Sequence, residues 1–185
     1  LPLHVWLPLA HSAAPTPASA VLSGAMIKAG LLGWLRFIPM ESAASPSWGA
    51  LFVAAGAAAA FYAVAVGSTQ CHPKTVLAYS SISQMGLITI GVGLSLLSPA
   101  VAAAGLPAVA LYALHHGFAK GALFLTVGIL QAVAPGSRVS RLAWAGLILA
   151  ALSLAGAPLT GGAVSKSALK TAVALTPQAW QSVLF

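Results

Sequence analysis

The chain has 185 residues, 59% of them hydrophobic and 5% charged, and its mean hydropathy is +0.97. Soluble domains carry about 25% charged residues, so this composition belongs to a polytopic helical membrane protein and excludes a soluble globular domain. The net charge of +7 is scattered in ones and twos with no aromatic-interleaved basic cluster, which excludes a nucleic-acid surface.

Cys71 is the only cysteine, so internal disulfides, CxxC redox pairs and cysteine-ligated metal or iron–sulfur centres are excluded within the chain. No metal site is expected. A transmembrane barrel would need alternating ten-residue segments, and none is visible. The predicted fold class is all-α, a bundle of transmembrane helices with breaks, in one transmembrane domain over 1–185. The chain starts inside an apolar stretch, with no basic-headed signal before Leu1, and ends on Val183-Leu184-Phe185. It reads as part of a longer protein.

Residues 1–12, LPLHVWLPLAHS, are too short to span and predict a half-helix, with Trp6 as an anchor and His4 and His11 in structural roles. Pro15 and Pro17 then mark a loop feeding a helix over about 18–38. Lys28 lies near the centre of that helix, among glycines and alanines that allow close backbone approach. Arg36, at its end, can snorkel. A loop over 39–48 holds the only acid, Glu41. The helix predicted over about 49–68 has no charge and reads as a packing helix.

The next helix, about 74–97, opens KTVLAYSSISQMG. Lys74 sits at its start. Tyr79, Ser80, Ser83 and Gln84 fall at i, i+1, i+4 and i+5, one polar stripe. Such a stripe is either interhelical hydrogen bonding or the wall of a hydrated path, and both readings stay open. A short loop is expected over 98–106.

The helix predicted over 107–133 carries Tyr112, His116 and Lys120, spaced four apart and therefore stacked on one face. A lysine at that depth costs about 2.5–3.5 kcal/mol on insertion scales. Phenol, imidazole (ordinary pKa about 6.5) and ammonium in line make a short proton path. The alternative is a polar seam holding two helices together.

A last helix, about 141–175, is interrupted by Gly156-Ala-Pro-Leu-Thr-Gly-Gly162. Pro158 with Gly161 and Gly162 predicts a break inside the membrane over 156–162, with Lys166 just beyond it. Broken helices free backbone groups that line cavities and mark transport sites, although a kink for packing gives the same pattern. Lys28, Lys120 and Lys166 thus lie on three helices. If they cluster, protons can hop between them through water and His116, each proton repelling the next. A carboxylate partner for such a relay is missing from the predicted spans. Lys74, Arg138 and Arg141 place the connections around residues 70 and 136 on the cytoplasmic side by the positive-inside rule.

Four motifs in order carry a resemblance. LPLHVWLPLAHSAAPTPAS with AMIKAG, then KTVLAYSSISQMG, then HHGFAKGALFL, then LAGAPLTGGAVSK together resemble the antiporter-like membrane subunits of respiratory Complex I. The same family includes Mrp-type cation/proton antiporter subunits and the membrane subunits of energy-converting hydrogenases. The resemblance covers nearly the whole chain and implies a fold of two inverted repeats. It implies that Lys28 is the connecting lysine of a first channel, Lys120 a central-axis lysine with His116 beside it, and Lys166 the residue of a second broken helix. Some relatives have glutamate at that last position. Many have a histidine where Tyr112 stands, and a glutamate–lysine pair lies upstream of the stretch matched here.

The implied function is proton translocation as a subunit of a Complex I-like NADH:quinone oxidoreductase or related redox-driven pump. Tyr112, Tyr79, Ser83, Gln84 and Lys74 would form a secondary polar path. No cofactor is expected in the chain, redox chemistry being left to partner subunits. Expected partners are those subunits, the lipid bilayer, and protons or sodium ions. The expected location is a bacterial inner membrane or an organellar inner membrane. The alternatives are an Mrp-type antiporter subunit, separable by sodium dependence, and a non-conducting structural segment. A haem-binding reading is weak, because adjacent His115 and His116 point in different directions.

Overall fold

The computed structural model describes residues 3–38 and 45–176. Glu41 and most of the loop expected over 39–48 lie outside them. Every regular element among the described residues is a helix, and none of them is a strand.

A 3-10 turn at Leu3–Val5 runs into α1 (Trp6–Ala13). Ala14 is extended, at φ −72° and ψ 147°, as a residue before proline must be. The next rod is continuous: α2 (Thr16–Val21), a π-helical turn at Leu22–Met26, and α3 (Ile27–Phe37). Then come α4 (Pro46–Gly67), α5 (Pro73–Ser95) and α6 (Pro99–Ala132), each opened by a proline whose missing amide has no partner to lose. α7 (Arg138–Ala155) and α8 (Gly161–Ala174) follow. Five stretches are long and apolar enough to cross a membrane: 16–37, 46–67, 73–95, 99–132 and 138–155. The protein is a multi-pass membrane chain.

The loop expected over 98–106 is a helix instead. Ser98 caps it, its hydroxyl accepting from the Val101 amide at 3.3 Å, and Pro99 opens it. Pro107, taken as the start, sits inside α6. A membrane helix tolerates an internal proline because neighbours re-satisfy the freed carbonyl. The correct start signal was the Ser-Pro pair eight residues earlier. The 34 residues of α6 reach about 51 Å, well beyond a 30 Å hydrocarbon core, so the helix tilts or projects.

The break also differs from expectation. α7 ends on Gly156, which takes the left-handed conformation (φ +89°), and the Leu152 carbonyl accepts from both the Gly156 and Ala157 amides at 3.0 Å. Thr160 caps α8 by accepting from the Ala163 amide. The interruption is therefore residues 156–160, around Pro158. Gly161 and Gly162 belong to the first turn of α8.

α4 and α5 pack antiparallel through paired glycines. A Cβ on Gly56 would lie 2.6 Å from the Gly86 carbonyl oxygen, and one on Gly49 2.8 Å from that of Gly93. Small residues permit this approach in the absence of a hydrophobic drive between helices in lipid. α6 is the hub, packed against α5, α7, α8 and the rod of α2. One core cluster joins Leu31, Ile88, Val92, Leu96, Val109 and Tyr112.

Candidate functional site

Each of the three lysines is held by a backbone carbonyl. Lys28 donates from Nζ to the Ser23 carbonyl, within the π-helical turn that precedes it. That turn lies against α6 by glycine contact: a Cβ on Gly24 would come 3.2 Å from the Gly117 oxygen. The Lys28 stem passes over the same Gly117. π-bulges disturb the regular ladder of amides and recur at functional sites.

Lys120 is 0% exposed. Its Nζ donates to the Leu77 carbonyl at 2.9 Å and to the Ser80 hydroxyl. Lys166 reaches back across the break to donate to the Ala155 carbonyl at 2.6 Å, the last residue of α7. A helix C-terminus carries about half a negative charge, which favours a cation there. The fold thus supplies backbone oxygen where no carboxylate stands among the described residues.

His116 is also 0% exposed, and neither ring nitrogen has a partner among the described residues. Buried polar atoms are nearly always satisfied, and exceptions point to bound water or to chemistry. The charge of Lys28 acts on both His116 and Lys120, so the three form one electrostatic group. Lys166 stands apart from that group. What lies between is a cavity of about 360 Å³, lined by Leu77, Ser80 and Gln84 of α5, by Leu123 of α6, by α7, and by Lys166. Two of those wall residues, Leu77 and Ser80, are the acceptors of Lys120.

The stripe expected on α5 is divided. Ser80 and Gln84 face α6, Gln84 accepting from the Tyr112 hydroxyl. Tyr79 turns the other way, its Cβ against Gly67 of α4 and its ring in a cluster with Leu7, Ala63 and Ile82. Ser83 is buried without an assigned link to the lysines. Lys74 donates to the Ala14 carbonyl at 2.9 Å, tying the start of α5 to the end of α1. Ser81, not singled out in the sequence, shares a 2.8 Å hydrogen bond with Ser23, beside the carbonyl that holds Lys28. Its hydroxyl also donates to the Leu77 carbonyl at 3.0 Å, a contact no sequence spacing announces. His11 is fully buried and stacked on Phe124, with ring centroids 4.4 Å apart.

The Tyr112–Gln84 contact makes a prediction. Gln84→Leu strands a buried phenol hydroxyl, which costs about 1–3 kcal/mol. The double variant Gln84→Leu/Tyr112→Phe removes both polar partners and should recover most of that loss. Thermal unfolding of the four members of the cycle measures the coupling; additive losses would show that the hydrogen bond contributes nothing.

Comparison with known proteins gives the family of the chain. The family described as "NADH:quinone oxidoreductase/Mrp antiporter, TM" matches residues 1–185. The chain is 33% identical over 184 residues to Hydrogenase-4 component B of Escherichia coli (strain K12), covering 90% of this chain and 27% of that protein. It is 34% identical over 175 residues to NADH-quinone oxidoreductase subunit M of Rhodobacter capsulatus, covering 89% and 33%. Over 131 residues it is 37% identical to NADH-ubiquinone oxidoreductase chain 4 of Chondrus crispus, covering 70% and 25%. Among solved structures, a chain of the Mrp complex from Dietzia sp. DQ12-45-1b superposes with a TM-score of 0.81 at 31% identity, covering 96% of this chain and 20% of that one. The chain spans a third or less of the length of each of these relatives. With the family match over its whole length, this chain belongs to the NADH:quinone oxidoreductase/Mrp antiporter transmembrane family.

Proposed function

We propose that the chain carries protons through the membrane as part of a redox-driven complex of the NADH:quinone oxidoreductase or hydrogenase type. The route runs from Lys28 through His116 and Lys120 to Lys166. The observation that carries this reading is the cavity between Lys120 and Lys166. Its wall contains the acceptors of one lysine and the side chain of the other, and it has room for water. A purely structural polar seam has no need of such a space. Lysines hold protons without a redox change, and each is seated on a neutral oxygen that remains paired when the proton leaves. Charge arriving at Lys28 repels the proton on Lys120, which passes it through the cavity toward the break. Gln84 and Tyr112 line or adjoin this path. Lys74 sits at its α1 edge, while Tyr79 and Ser83 lie off it.

The experiment is proton uptake into vesicles by the full-length chain in its assembly, with and without sodium, for wild type and Lys166→Ala. Sodium-independent uptake that falls sharply in Lys166→Ala supports the reading. Unchanged uptake in the variant removes Lys166 from the route and, with it, the cavity argument. A second reading, cation/proton antiport, is favoured by the likeness to the Mrp complex chain; strict sodium dependence would select it.

A further inference from the structure

His115 stands outside the route just described, yet α6 delivers it to the broken helix. Adjacent helical residues point about 100° apart. His116 is fully buried, while His115 lies against the start of α8, beside the end of α7. The ring occupies the space that side chains at the start of α8 would need. A Cβ on Gly161 would lie 3.2 Å from its Nδ1; one on Gly162 would lie 3.0 Å from its Nε2 and only 1.6 Å from the Ser153 carbonyl oxygen of α7. The ring lies beside the Ser153 backbone carbonyl, and its Nε2 is buried without a hydrogen-bond partner among the described residues.

Lys166 meets the same end of α7, at the Ala155 carbonyl. Two basic side chains from two helices therefore converge on one helix C-terminus. That terminus offers about half a negative charge, enough for one cation and too little for two. The groups facing His115 are Lys166 from α8 and His116 from its own helix; α7 presents a carbonyl.

We propose that His115 is a further proton-carrying residue, sharing with Lys166 a single excess proton at the carbonyl end of α7. The proposal rests on the reading that the chain moves protons. In the step, the proton that Lys120 releases through water forms an N–H bond on His115; that N–H bond then breaks as an N–H bond forms at the neutral Lys166 amine. Lys166 then yields its own proton to water at the break, and His115 is neutral again for the next. Gly161 leaves room for the imidazole, and Gly162 lets the Ser153 carbonyl of α7 approach beside it.

The test is the proton-uptake rate of the full-length chain in its assembly, measured across pH and normalised to assembled protein. His115→Gln keeps a polar side chain beside Ser153 but carries no proton. It should slow uptake several-fold and flatten the pH profile, while Lys120→Ala stops uptake. If Lys120→Ala stops uptake but His115→Gln keeps the wild-type rate and profile, the proposal is overturned and the underlying route survives. If His115→Gln lowers only the amount assembled, with rate and profile per assembly unchanged, His115 is a packing wedge and the proposal is again overturned. If Lys120→Ala leaves uptake intact, the route itself falls, and the role of His115 with it.

Discussion

Lys120→Met should stop proton transport and leave the protein at least as stable as before. The two effects have opposite signs for a physical reason. A lysine at the depth of Lys120 costs about 2.5–3.5 kcal/mol to insert, and methionine has similar length with no charge. The groups left behind lose little. The Leu77 carbonyl still accepts from the Ser81 hydroxyl at 3.0 Å, and Ser80 borders the cavity, where water can reach it. A merely structural lysine would show the reverse pattern: reduced stability and normal transport per assembled complex. Positioned proton carriers contribute on the order of 10²-fold or more to rates, so the expected loss is large. Transport in vesicles and thermal unfolding of the same preparation check both halves. Normal transport in Lys120→Met would exclude the buried lysine from the path.

Gly56→Leu should disrupt the pairing of α4 with α5. The Cβ would meet the Gly86 carbonyl at 2.6 Å and the Ile90 amide at 2.9 Å. Both neighbours are backbone, so no side chain can rotate away and the helices must separate. Overpacking a tight site costs about 1–3 kcal/mol, occasionally more, and here the displacement reaches a second glycine contact at Gly49 and Gly93. The consequence extends to the site, because α5 carries Leu77, Ser80 and Gln84. Gly33→Ala is the comparison, since nothing lies within 4 Å of its Cβ. That change should be neutral, or stabilising by about 0.5–1 kcal/mol through helix propensity. Equal unfolding temperatures for Gly56→Leu and Gly33→Ala would mean that α4 and α5 do not touch as closely as the glycines indicate.

Much of the candidate site was legible in the chain because ionisable residues are scarce in an apolar sequence. Lys28, Lys120 and Lys166 stand out against their surroundings without any knowledge of neighbours. The 112/116/120 spacing placed three polar side chains on one face, and they are buried together in α6. What spacing could not tell was the direction of each face. The α5 stripe treated Tyr79, Ser80, Ser83 and Gln84 alike, but α4 draws Tyr79 to one side while α6 takes Ser80 and Gln84. His115 was passed over because it is off the stripe; only the position of α7 and α8 brings it to a carbonyl end. The start of α6 was misplaced because two prolines, Pro99 and Pro107, carry the same local signal, and length alone does not choose between them.

The sequence by itself determined that the chain is a membrane-embedded helical bundle, which family it resembles, and which residues are chemically unusual. Hydropathy and helical period are properties of consecutive residues, so they need no partner to be read. Only the tertiary structure decided what holds each lysine. The Ser23, Leu77 and Ala155 carbonyls are anonymous in a sequence, since every residue has one. They become ligands where a π-turn, a neighbouring helix or a break turns them toward an ammonium group. The cavity between Lys120 and Lys166 is likewise a product of α5, α6, α7 and α8 meeting, and of no one of them alone.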